Sequence, residues 1–110
     1  MKRLNLDFEN CNLSCKSGVY IGKLFPKLTK VEDLKVDLSW NKEFKDQGVK
    51  KVIKGIPTHN HLMKLGLNFY NCNLSQKSGD FLGEMFPKLT KVEDFAIYLR
   101  RNVEFKDWGV

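Results

Sequence analysis

The chain has 110 residues, of which 42% are hydrophobic, 12% aromatic and 29% charged, an ordinary globular balance that excludes a disordered or fibrous protein and sets one compact unit as the ceiling. The net charge of +6 is spread along the chain rather than gathered into a block, so it does not identify a partner. No apolar run approaches the roughly 18 residues of a membrane span, and Met1-Lys2-Arg3 opens onto alternation rather than a signal-peptide core, so a soluble cytoplasmic protein with no membrane partner is expected. Cys11, Cys15 and Cys72 lack Cys-x-x-Cys spacing, which argues against a disulfide framework or a zinc site.

In chain order, Leu4-x-Leu6-x-Phe8 alternates with period two and predicts a strand with one buried and one open face. Cys11 follows at a turn. Lys16 to Phe25 has apolar residues at helical spacing and a serine to start it, and Pro26 bars continuation, so a helix of about two turns is expected. Leu34-x-Val36-x-Leu38 is the second strand, with Asn41 at its turn. Gly48, Val49, Val52, Ile53 and Ile56 before Pro57 give the second helix. Leu65, Leu67 and Phe69, then Cys72, repeat the first arrangement, with Gly79 to Phe86 before Pro87 as the third helix. Phe95, Ile97 and Leu99, then Asn102, repeat the second, and no fourth helix is completed by Val110. A sheet with helices on both faces would read as near-continuous Val, Ile and Leu, so the alternation predicts helices on one face only.

Sliding the chain against itself by 61 residues brings about 29 of 49 positions into identity. Asn10-Cys11-Asn12-Leu13-Ser14 returns as Asn71-Cys72-Asn73-Leu74-Ser75, Phe25 to Asp33 returns unchanged as Phe86 to Asp94, and Glu43-Phe44-Lys45-Asp46 returns at 104–107. Each block divides again, which gives units of about 1–30, 31–61 and 62–91 and a partial unit 92–110 within a single domain spanning 1–110. The common line is L-x-x-L-x-L-x-L-x-x-(C/N) followed by an apolar residue. Asn can satisfy buried backbone groups at that turn with its amide, while Cys packs as a small hydrophobe.

This line, with Cys11, Asn41, Cys72 and Asn102 alternating, resembles the leucine-rich repeat, in particular its ribonuclease-inhibitor-like type. The units are longer than the usual 20 to 29 residues, and in that they look most like the leucine-rich repeat proteins of ciliates and related protists. The resemblance implies an α/β fold: a right-handed leucine-rich repeat solenoid, or horseshoe segment, with parallel strands on the concave face and short helices on the convex face. It also implies a non-catalytic protein-binding module. The likeness to ribonuclease inhibitor itself, or to repeats in GTPase-activating proteins of the Ran family, lies in framework positions and brings no activity with it.

Solenoids of this kind present the open strand face, so the residues between the buried leucines are the candidates. They are Asp7 and Glu9 from the first strand, Lys35, Asp37 and Trp40 from the second, Asn68 and Tyr70 from the third, and Tyr98, Arg100 and Arg101 from the fourth. Trp, Tyr and Arg dominate interface energies. Against this, an aromatic residue at a strand end can simply cover its turn, and Trp40 is as well explained by packing on its neighbour. His59-x-His61 has no accompanying thiolate or carboxylate cluster, so no metal is expected. No phosphate loop, catalytic triad or carboxylate pair stands out, so no enzyme and no cofactor are expected.

Two competing readings are a basic nucleic-acid surface on Lys16, Lys23, Lys50, Lys51 and Lys54 of the outer helices, and a regulatory segment of a larger signalling enzyme. A solvated helical face explains the lysines with less, since the aromatics lie on the opposite side, and a protein is the expected partner. Neither end carries a capping element, which raises end-to-end self-association or membership of a longer repeat array.

Overall fold

In a computed structural model, which describes residues 2–56 and 61–102, four strands alternate with three helices. The strands are β1 (Arg3–Asp7), β2 (Asp33–Asp37), β3 (Lys64–Asn68) and β4 (Asp94–Tyr98), and the helices are α1 (Cys15–Leu24), α2 (Lys45–Gly55) and α3 (Gln76–Met85). All neighbouring strands are parallel and lie in the order β1-β2-β3-β4, so every connection returns the chain to an adjacent strand in the same direction. His59 and everything from Val103 onward lie outside the described residues.

The period-two pattern does what it predicts. Leu34, Val36, Leu65 and Leu67 enter the core, with Leu4, Leu6, Phe95 and Ile97 packed against it from the outer strands. From the helices the core takes Ile21, Val49, Val52, Ile53, Leu82 and Met85, so the three helices cover one face of the sheet. Residues in register make rows across the other face: Asn5, Lys35, Gly66 and Ala96 in one, and Asp7, Asp37, Asn68 and Tyr98 in the next. No helix among the described residues is long and apolar enough to cross a membrane.

Helix boundaries differ from the sequence reading in physically informative ways. α1 and α3 start earlier than expected because Ser14 and Ser75 cap them, each accepting a hydrogen bond from the backbone N–H two residues on. α2 starts at Lys45 rather than near Gly48. At Pro26 and Pro87 the α-helix tightens into a short 3-10 turn, Phe25–Lys27 and Phe86–Lys88, in which a proline near the first position has no N–H to leave unpaired.

The helix layer is unevenly spaced. A Cβ on Gly18 would lie 2.6 Å from the Gly48 carbonyl oxygen, and one on Gly22 would lie 2.5 Å from that of Lys51, so α1 and α2 touch backbone to backbone. Between α2 and α3 the bulkier Ile53, Lys50 and Lys54 meet Phe81 and Met85, and a hollow of about 410 Å³ remains. Asp46 ties this looser junction by accepting hydrogen bonds from the Ser75 N–H and hydroxyl and from the Ser78 hydroxyl. Burial pushes the Asp46 carboxyl up, but those hydrogen bonds outweigh it and hold the group below its ordinary value.

Candidate functional site

The open face is positioned by the turns that end each strand. Asn41 Oδ1 accepts from the backbone N–H of Cys11 (3.1 Å) and Leu13 (2.9 Å), while its amide donates to the carbonyls of Phe8 (2.9 Å) and Leu38 (2.8 Å). Asn102 repeats this with Cys72, Leu74, Phe69 and Leu99. Each buried asparagine thus satisfies backbone groups of two successive strand ends at once, a use the sequence reading expected of Asn at this turn. Cys72 is buried and its Sγ lies 2.9 Å from the Leu38 carbonyl. Burial pushes its thiol up to about 11, so it is inert at neutral pH.

On this frame the open face carries a trough of about 330 Å³. Its floor is the row containing Gly66 and Ala96, where side chains are missing or small, and its sides come from Asn5, Lys35, Asp7, Asp37, Asn68 and Tyr98. Five of the ten residues named from the sequence therefore line one hollow. The other five, Glu9, Trp40, Tyr70, Arg100 and Arg101, stand just beyond the strand ends, where the ladder continues through Asn10 N–H to Ser39, Trp40 N–H to Tyr70 and Asn71 N–H to Arg100.

The face is electrically polarised along the sheet. Carboxylate oxygens of Asp7, Glu9 and Asp37 lie within 4.8 Å of one another at the β1–β2 side, and Arg100 and Arg101 are exposed after β4. Between them Trp40 and Tyr70 pack with ring centroids 5.4 Å apart at 55°, so the tryptophan does pack on its neighbour while still exposing part of its ring.

Three of the named residues also do local structural work. Asp7 Oδ1 accepts from Glu9 N–H (3.0 Å), Asp37 Oδ1 from Ser39 N–H (2.9 Å) and hydroxyl (2.6 Å), and Asn68 Oδ1 from Tyr70 N–H (3.0 Å). Each closes an Asx turn at its strand end. Tyr98 occupies the same position in β4 and cannot, which leaves its ring exposed over the trough.

Trp40 and Arg101 hold left-handed backbone, φ 65° and 60°, at the position where the other two units place Asn10 and Asn71. Asparagine tolerates this region and bulky residues do not, at a cost of about 1 kcal/mol or more each. The residue missed from the sequence is Gly66. A lone glycine inside the strand Leu65-Gly66-Leu67 was the available signal, since glycine within a strand marks a place where something else comes close.

On the helix side, Lys16, Lys23, Lys51 and Lys54 are exposed, while Lys50 is half-buried with its Nζ 5.5 Å from the Phe81 ring centroid. A comparison with protein-family models finds no match to this chain, and one with curated proteins finds none either.

Proposed function

We propose that the chain is a leucine-rich repeat segment of the ribonuclease-inhibitor-like type, a right-handed solenoid that binds a protein partner on its open sheet face and makes or breaks no bond. The observation that carries the reading is where the repeats diverge. Lys35 and Asp37 become Ala96 and Tyr98 in the later block, all four around one trough, and Trp40 becomes Arg101 just beyond the strand ends, while the core positions stay apolar and the turn asparagines are kept. The retained Asn41 and Asn102 networks support the repeat assignment.

The partner this face suits is a protein segment that lays an apolar or aromatic side chain in the trough against Tyr98, with basic groups toward Asp7, Glu9 and Asp37 and acidic groups toward Arg100 and Arg101. Tyr98 and Trp40 are its anchors. The strained backbone at Trp40 and Arg101 favours this over a purely structural use, because asparagine would serve the turn at less cost.

A peptide library displayed on phage and selected against the immobilised chain tests the reading. Selected peptides should lose about tenfold or more in affinity with Tyr98→Ala or Trp40→Ala and be indifferent to Lys51→Ala and Lys54→Ala. Peptides insensitive to the open face would refute it. Capture of nucleic acid with a steep salt dependence that follows the lysines would establish the helix side as the working surface instead.

A further inference from the structure

The two ends of the sheet are halves of an interface the molecule already contains, and we propose that the chain stacks head to tail on a second copy, β4 of one pairing with β1 of the next. The interior junction of β2 with β3 is the template, because β1 is the counterpart of β3, and β4 of β2, at the 61-residue offset.

The backbone polarity matches. In a parallel ladder a residue's N–H and C=O leave the strand on the same side. Phe8 N–H donates to Asp37 and Asn10 N–H to Ser39, so β1 gives its even-numbered residues to β2 and turns the groups of Arg3, Asn5 and Asp7 outward. Phe69 N–H donates to Tyr98 and Asn71 N–H to Arg100, which leaves Phe95, Ile97 and Leu99 of the β4 side facing outward. Within the chain, Leu38 N–H donates to Asn68 (2.8 Å), Trp40 N–H to Tyr70 (2.8 Å) and Met63 N–H to Glu32 (2.8 Å). The equivalent bonds between copies run from Leu99 to Asp7, from Arg101 to Glu9 and from Lys2 to Glu93.

The side chains match as well. In the resulting register Asp94 stands opposite Arg3, the same charge pairing as Arg3 with Asp33, whose Nε and Oδ2 are 3.1 Å apart. Cys72 reaches the Leu38 carbonyl of the preceding strand end, and Cys11, its exposed counterpart, would find Leu99 of the second copy there.

Such a contact is heterologous, so each added copy leaves a fresh end and the series is open. It also sets the open faces side by side in one continuous sheet.

The test is sedimentation velocity of the full chain under reducing conditions across a wide concentration range. Weight-average mass should climb past twice 12.8 kDa, and iodoacetamide labelling of Cys11 should slow several-fold at high concentration. Asn5→Pro removes an outward N–H that serves no bond to β2 and should hold the chain at monomer mass, with circular dichroism at low concentration checking its fold. Added in small amount to the unaltered chain, it should shorten the assemblies as a terminator. If Asn5→Pro does not fold, Asp94→Arg, which sets like charges at the junction, must abolish assembly in its place. A mass that stays monomeric at every concentration, assemblies that survive the folded variant, or Cys11 labelling that ignores concentration would each overturn the proposal.

Discussion

Replacing Gly66 with valine separates the proposed binding role of the open face from the fold. Gly66 has no positive φ, so an L side chain suits its backbone, and a Cβ there meets only Lys35 Cγ at 3.4 Å, the flexible stem of an exposed side chain. Valine loses less conformational entropy than glycine on entering a strand and favours the pleated surface, so stability should rise by about 0.5–1 kcal/mol. For a domain of this size that is a rise of roughly 2–8 °C in the midpoint of thermal unfolding. The same methyl groups fill the floor of the trough between Lys35 and Ala96. A peptide seated there should lose about tenfold in affinity or more, equivalent to about 1.4 kcal/mol, measured by titration calorimetry on the same preparation. A stabilised variant that binds the selected peptide unchanged would refute the placement of the site in the trough, and a destabilised one would refute the account of the strand.

The helix glycines should respond in opposite directions: Gly18→Ala, which drives a Cβ into the Gly48 backbone, should cost about 1–3 kcal/mol in chemical denaturation, whereas Gly83→Ala, with nothing within 4 Å, should gain up to about 1 kcal/mol. Asn41→Ala strands four backbone groups at two strand ends and should remove several kcal/mol, a large share of a small domain's stability, in the same assay. Alkylation at pH 8 should modify Cys11 readily and Cys72 only on unfolding, since burial raises the Cys72 thiol to about 11; equal rates would contradict its placement. Because the Asp46 carboxyl is held below its unfolded value, its contribution is present above about pH 4 and is lost as pH falls through its lower native value, so amide exchange in α3 should rise on acidification before that in α1, and Asp46→Asn should remove the difference.

Strand positions, their parallel pairing and the split between a core face and an open face were legible because period two and the 61-residue repeat both reported them. Helix starts were less so. Ser14 and Ser75 act through one hydrogen bond each, and a cap has no periodicity to announce it. The tight α1–α2 and loose α2–α3 spacing depends on which helix turns its glycines toward which neighbour, a pairwise fact that neither helix carries alone. At the open face the sequence identified exposed side chains but not their double use. Asp7, Asp37 and Asn68 recur at one position of three strands, and such recurrence marks a structural duty, here the Asx turn. Gly66 escaped notice because a site formed by an absent side chain leaves no chemistry to read.

The contrast between the recurring and the changing positions decides how the face is built. Turn asparagines and capping serines are the same from block to block because each satisfies backbone groups that any unit must bury. Where the fourth strand departs, it gives up local satisfaction: Tyr98 abandons the Asx turn, and Arg101, like Trp40 before it, takes a left-handed backbone that asparagine would hold at less cost. A purely structural repeat would gain stability from an Asx acceptor in place of Tyr98 and from asparagine in place of Trp40 and Arg101. Their cost falls at the open face, at Tyr98 over the hollow and at Trp40 and Arg101 just beyond the strand ends, which is the distribution expected when side chains are kept for what they contact outside the molecule.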